Sequence, residues 1–335
     1  MTLLPLRSGG VFGYVDRDGK WAIPPRFNLA FPFFEGLALV SIPRRSLAGG
    51  RRETYGFIDR EGRFVVRPRF REAFSFADGR AAVIPGGLAR GRWGYIDREG
   101  RVVLRPRFSV AGSFFQGRAR AAFSGPVGFL EPGGEFAVPP RFAAAGDFSG
   151  GLAPVREEGG KGWGFIDRDG RRVIGPEFDW AEQFSEGLAR VNREGKWGFI
   201  DPTGRFVFPP VFDFAGDFSQ GLAPVAVEKG YDRVLRAKTS GKWGFIDNQG
   251  RGAIDSHFDR AFPFRDGWAR VRLAGFWSYI DRDGRPMGEA RFDDATDFRG
   301  GLALAWAGER VFVIDTEGLR REVETEKIAA PSPGL

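Results

Sequence analysis

The sequence predicts an all-β protein built from tandem modules of about 34 residues, each a three-stranded antiparallel unit, stacked into an open β-solenoid or superhelix. Three observations carry that expectation. Gly and Pro make up 72 of 335 residues, about a fifth, so turns are frequent. Aromatic residues reach 15% and apolar residues 42%, enough for a core that disordered chains lack. The third is an internal repeat, the mark of an array of stacked units. Taking the Asp of Trp163-Gly164-Phe165-Ile166-Asp167 as anchor, equivalent positions fall at Asp16, Asp59, Asp97, Glu131, Asp201, Asp247, Asp281 and Asp315, with a base spacing of 34.

Fixed offsets from the anchor define the module. Gly stands three residues after every anchor, from Gly19 to Gly318. Phe stands eleven and seventeen after the first eight anchors, Ala fourteen and twenty-two after, and Gly twenty after. An Asp whose side chain bonds the backbone, with a Gly tolerating positive φ three residues on, is a turn signal. The β-favouring runs Trp-Gly-Phe-Ile and Arg-x-Val-x-x-Pro flank it, so they form the central and returning strands of a hairpin. Pro25, Pro68, Pro106, Pro140, Pro176 and Pro210 lack a ladder donor and close the returning strand.

The connector Phe-x-x-Ala-x-x-Phe follows. Asn28, Ser109, Asp179, Asp213, Asp259 and Asp293 come directly after its first Phe and suit the N-cap of one short helical turn. Gly-Leu-Ala-x-Val then opens the leading strand of the next module. Insertions at Ser41–Thr54, Ile84–Arg92, Arg156–Gly162 and Val227–Lys242 all fall between leading and central strands, along one edge where repeat proteins often bind. Leu3-Leu4-Pro5-Leu6 supplies the first leading strand, and Val311–Asp315 with Leu319–Val323 supplies the last hairpin. Nine modules therefore occupy residues 1–324 as one continuous array, with 325–335 a disordered tail. Nine exceeds the usual blade count of a propeller, and both ends are in phase, which favours the open form; a closed β-propeller-like ring is the alternative.

The motif Lys-Trp-Gly-Phe-Ile-Asp-x-x-Gly-Arg with Phe-x-x-Ala-x-x-Phe-Ser-x-Gly-Leu-Ala resembles the WG-repeat (KWG) family of bacterial proteins. Lys196–Asp201 and Lys242–Asp247 carry the signature in full. Phe12, Tyr55 and Val127 depart from it at the Trp position, Ser278 at the Gly position, and Phe312 at the Gly position of the degenerate last module. The resemblance implies a repeat scaffold that mediates interactions, without a common activity.

Composition narrows the function. No Cys means no disulfide, thiolate metal site or Cys nucleophile, and His257 alone provides neither a two-His metal site nor a signalled catalytic pair. His257 reads as repeat drift. Asp16-Arg17-Asp18-Gly19 and its copies at Asp167 and Asp281 suggest a cation loop but lack the distal bidentate Glu, so the turn role is expected. No long helix follows any Gly loop to make a phosphate site. Trp93, Trp163, Trp197, Trp243 and Trp277 recur at one offset, which favours packing over an exposed stacking platform for glycans or bases. No catalytic residue, metal or cofactor is expected. No apolar stretch is long enough to span a bilayer, and Met1–Gly10 lacks a signal-peptide pattern, so a soluble cytoplasmic protein is expected.

Charge is uneven. Residues 1–125 hold 22 Lys and Arg against 10 Asp and Glu, a net of +12, and the remainder holds 28 against 33. Arg44, Arg45, Arg51 and Arg52 crowd the first insertion, and Arg67, Arg69, Arg105 and Arg107 lie on returning strands. These eight are the candidate binding residues of a non-enzymatic scaffold that engages a protein with an acidic surface. Binding of an anionic polymer or a glycan, nucleic acid or polysaccharide, is the second expectation.

Overall fold

Antiparallel strands joined by tight turns account for the regular structure, and there is no helix among the described residues. The computed structural model describes residues 2–45, 51–86, 91–227, 230–232, 237–239, 241–289 and 291–324. The expected tail at 325–335 lies outside them, as do parts of three insertions. No helix is long and apolar enough to cross a membrane. The chain divides into two compact units, Met1–Phe136 with Arg321–Leu335, and Ala137–Arg320.

Each anchor turn forms as its residues dictate. In the fifth module the Asp167 amide donates to the Arg171 carbonyl and the Gly170 amide to the Asp167 carbonyl. Asp167 Oδ1 accepts from the amides of Asp169 and Arg171, at 3.0 and 2.8 Å. The same two amides bond Asp16, Asp59, Asp97, Asp201, Asp247, Asp281 and Asp315. The oxygen that a cation loop would aim at a metal is thus committed to the backbone. No group of three or more His, Asp or Glu among the described residues could hold a metal.

The central strand explains the Gly of the Trp-Gly pair. The returning strand bulges over it, and a Cβ there would stand 2.5–2.7 Å from a carbonyl: Gly13 against Ile23, Gly56 against Val66, Gly164 against Ile174, Gly198 against Phe208, Gly244 against Ile254. Only Gly admits that approach. The residue before it, Trp or a substitute, pairs with the repeat Phe, as in Trp163↔Phe178, Trp197↔Phe212 and Trp243↔Phe258.

The connector departs from expectation. Instead of a helical turn the chain stays extended and adds a short strand to the next module. In the second unit Trp180–Ala181, Ala189–Arg193, Lys196–Ile200 and Phe206–Phe212 form one four-stranded sheet. Phe214–Ala215, Leu222–Ala226, Trp243–Asp247 and Gly252–Phe258 form another. These two sheets therefore have four strands rather than three. The reason lies in where the backbone donors go: the amides of Asn28, Ser109, Asp179, Asp213, Asp259 and Asp293 bond carbonyls of the following leading strand. Their side chains pin the next hairpin instead of capping a helix, as Asp179 does by accepting from the Glu194 amide at 2.7 Å.

At one place in the first unit the returning and connector strands merge. Phe64–Ala73 is one strand whose first half pairs with Arg51–Ile58 and whose second half pairs with Ala81–Pro85, with Phe70 opposite both Tyr55 and Pro85. Seven strands from Leu29 to Phe108 thereby form one sheet in chain order. After the last turn, residues 321–324 return to the first unit. Arg321 Nε lies 3.4 Å from Asp18 Oδ1, and a Cβ on Gly19 would meet the Glu322 carbonyl at 2.9 Å.

The core repeats with the sequence. The second connector Phe packs on the aromatic ring two residues before the anchor, at centroid distances of 4.7–5.1 Å, in Tyr14–Phe33, Phe57–Phe76, Tyr95–Phe114, Phe165–Phe184, Phe199–Phe218, Phe245–Phe264 and Tyr279–Phe298. Where that ring is Tyr, its hydroxyl donates to a connector carbonyl, Phe31, Gly112 or Thr296. Burial pushes the Tyr14 and Tyr279 phenols well above their usual range.

Candidate interaction surface

Neighbouring modules are joined by two kinds of side-chain strut. The first begins at the residue before the repeat Phe. Arg26, Arg69, Arg107 and Arg141 each lay the guanidinium over the adjacent Phe ring, 5.0–5.2 Å from its centroid. Each then donates to the carbonyl of the next turn's Gly: Gly62, Gly100, Gly134 and Gly170. A guanidinium stacked on a ring and hydrogen-bonded in the ring plane is well held.

The second strut precedes the Gly twenty residues after the anchor. Glu35, Asp78, Gln116, Glu186, Gln220 and Asp266 take positive φ of 48–55°, rare for residues with a side chain. Five of these side chains accept amides of the following module. Glu35 bonds Gly79, Asp78 bonds Gly117, Glu186 bonds Gln220 and Gly221, Gln220 bonds Gly267, and Asp266 bonds Gly301, at 2.6–3.3 Å. The side chains at these offsets stand in order along the chain, but the sequence does not show that their partners lie one module on.

The eight candidate arginines separate on this frame. Arg69 and Arg107 are struts, so their charge is engaged within the fold. Arg67 and Arg105 are exposed and make no hydrogen bond or ion pair to the described residues. Arg44 and Arg45 lie on strand Leu37–Arg45 and Arg51 and Arg52 on strand Arg51–Ile58; their side chains fall outside the description. The backbone register places Arg44 opposite Arg52 and Arg45 opposite Arg51. Just inside them Glu53 is already occupied, accepting from Asn28 at 2.7 Å and from Ser41 at 2.6 Å.

The recurring Trp residues are packed rather than displayed. Trp163 is 6% exposed, and Trp93, Trp197, Trp243 and Trp277 are half-buried. Trp93 stacks on Phe74 at 4.9 Å, and Arg190 covers Trp197 at 5.0 Å. His257 is exposed, occupies the strut position, and holds Nδ1 2.8 Å from the Asp255 carbonyl.

The family model described as WG containing repeat matches eight times, at residues 12–42, 55–87, 93–123, 128–161, 163–197, 197–231, 243–275 and 277–305. The chain belongs to this repeat family. Its matched segments are the modules described above, and the WG name falls on the Trp position and the Gly that lies beneath the bulge. No match is found among curated proteins. Among solved structures the chain is similar to a eukaryotic initiation factor, with a TM-score of 0.62, 12% identity and 96% of each chain covered. It is also similar to the β-propeller domain of the Trilobed protease from Pyrococcus furiosus, with a TM-score of 0.45, 11% identity, and 92% of this chain and 99% of that chain covered. At such identities the initiation-factor likeness speaks to the fold alone.

Proposed function

We propose that this WG-repeat protein is a non-enzymatic scaffold whose basic strand pair, Leu37–Arg45 with Arg51–Ile58, docks an acidic protein surface. The cross-strand register of that pair carries the reading. Directly opposed residues of an antiparallel pair bring their Cβ atoms within about 5 Å, and like charges placed so repel. Two consecutive Arg–Arg pairs, with Glu53 committed elsewhere, concentrate positive charge on this strand pair, which gains from an anionic partner. Arg67 and Arg105 extend the same charge along neighbouring returning strands.

Fluorescence anisotropy with labelled polyglutamate tests the reading. The wild type binds, and replacing Arg44, Arg45, Arg51 and Arg52 with Gln weakens binding at least tenfold. Equal binding by that variant overturns it. Tighter binding of polyuridylate than of polyglutamate, falling steeply with salt, would favour a nucleic acid instead.

For the array itself we infer closure into a propeller-like ring rather than an open solenoid. The support is the four-stranded sheet, the make-up of a propeller blade. Small-angle scattering decides it: a ring has a radius of gyration of roughly 20 Å for this length, and a much larger value rejects closure.

A further inference from the structure

The eighth module breaks the repeat at the Gly beneath the bulge, where Ser278 stands. In the seventh module Ile246 pairs with Gly252, Phe245 with Ile254 and Trp243 with Phe258. One residue bulges between the first two pairs and three between the last two. In the eighth, Ile280 pairs with Pro286, and the Met287 amide bonds the Tyr279 carbonyl at 2.8 Å with no residue between. Met287 takes the place of Ile254: its side chain lies under the next turn's Gly318 as Ile254 lies under Gly284. Trp277 still pairs with Phe292, so the return from Met287 to Phe292 is one residue longer than that from Ile254 to Phe258. This longer return, which turns at Gly288 with φ 66°, accompanies the serine in place of glycine.

Beside it lies a cavity of about 560 Å³, within the size range of small-molecule sites. Leu273, Phe276 and Trp277 give it an apolar floor, and Ser278 offers its hydroxyl. Glu289 and Arg291 are also in its lining. Neither makes an ion pair or hydrogen bond to the described residues, and the Ser278 hydroxyl and Trp277 indole N–H likewise have no partner there. The grooves of regular modules differ. At the second turn Arg63 is paired with Asp59 and Glu61, and at the third Arg101 with Asp97 and Glu99.

An apolar lining that also carries a carboxylate and a guanidinium with no partner among the described residues complements a ligand with an ammonium, a carboxylate and an apolar body. We propose that the eighth module binds a short zwitterionic apolar peptide, its ammonium at Glu289, its carboxylate at Arg291, and its side chains on Trp277, Phe276 and Leu273. The site is independent of the basic strand pair.

Isothermal titration of the full chain with the dipeptide leucyl-phenylalanine tests it. Saturable binding is expected, weakened at least tenfold by Glu289→Gln and by Arg291→Gln; both residues are exposed, and the substitutions leave the fold intact. The N-acetylated dipeptide binds weakly and is insensitive to Glu289→Gln, and the C-amidated dipeptide is insensitive to Arg291→Gln. Absence of saturable binding at millimolar dipeptide overturns the proposal. So does equal binding of the blocked forms, or affinity unchanged in both variants.

Discussion

In modules one to four the arginine ahead of the repeat Phe is bonded to a carbonyl of the next turn, whereas Glu177, Val211 and His257 hold that position in modules five to seven. In modules six to eight ion pairs also join neighbours, beside the carbonyls of Ala215 and Ala295 that Arg190 and Arg270 reach as well. Arg190 meets Asp217 at 2.6 Å, Arg270 meets Asp297 at 2.8 Å, and Lys196 and Lys242 bond Asp213 and Asp259. Both arrangements join neighbours, but a guanidinium on a carbonyl needs no carboxylate. Arg26, Arg69, Arg92, Arg98 and Arg107 all donate to carbonyls, so part of the +12 on residues 1–125 is a by-product of how those modules are joined. Regional charge is therefore a poor guide to a binding face until the internally engaged cations are removed from the count.

The comparison can be broken at several points. The largest effect belongs to the Gly beneath the bulge, which regular modules require and the eighth does not. Gly198→Ala places a Cβ 2.7 Å from the Phe208 carbonyl and costs roughly 3 kcal/mol in urea unfolding. Ser278→Ala, at the same offset beside the longer return, stays within about 0.5 kcal/mol. Equal costs at the two sites would remove the bulge argument.

Next come the struts. Arg69→Met forfeits a charge-assisted hydrogen bond and costs about 2 kcal/mol, nearly unchanged between 0.05 and 0.5 M salt. Lys242→Met, which breaks the ion pair with Asp259, costs about 1 kcal/mol at low salt and less at high salt. Matching salt responses would erase the distinction between the two groups of modules.

Glu186→Ala loses both amide bonds and keeps a Cβ at φ 52°, whereas Glu186→Gly loses the bonds but relieves the backbone. The alanine variant should be less stable than the glycine variant by about 1 kcal/mol, read from paired denaturation curves.

The smallest effect is in acid. The Lys242 ammonium holds Asp259 below its ordinary range, and the backbone amide of Arg251 does the same for Asp247. A carboxylate depressed on folding contributes stability that is present above its unfolded value, near 4, and is lost as pH falls through the folded value. Acid unfolding should therefore begin below about pH 4, and Asp259→Asn should flatten that limb of the curve.

Much of the fold was legible because the repeat samples the same packing position many times. The Asp-to-Gly turn, the central and returning strands and the terminal half-modules follow from offsets alone. The connector was not legible, since an Asp after Phe suits a helix cap and a hairpin pin equally, and local preference cannot tell a helical amide from one about 15 residues on. The same limit applies to the candidate site. Arg67 and Arg69 look alike in sequence, and only the position of Gly100 makes one a strut while leaving the other free. Ser278 was visible as a departure, yet the longer return that accompanies it was not.

The strand Phe64–Ala73 serves two partners, closing one module and opening the next. The stretch that repeats in sequence and the stretch that pairs in space are thus out of step by one strand. A gene lengthened or shortened by 34 codons keeps every such join, wherever within a regular module the crossover falls. Copy number can drift without a boundary having to be found, and each new copy arrives already locked to both of its neighbours.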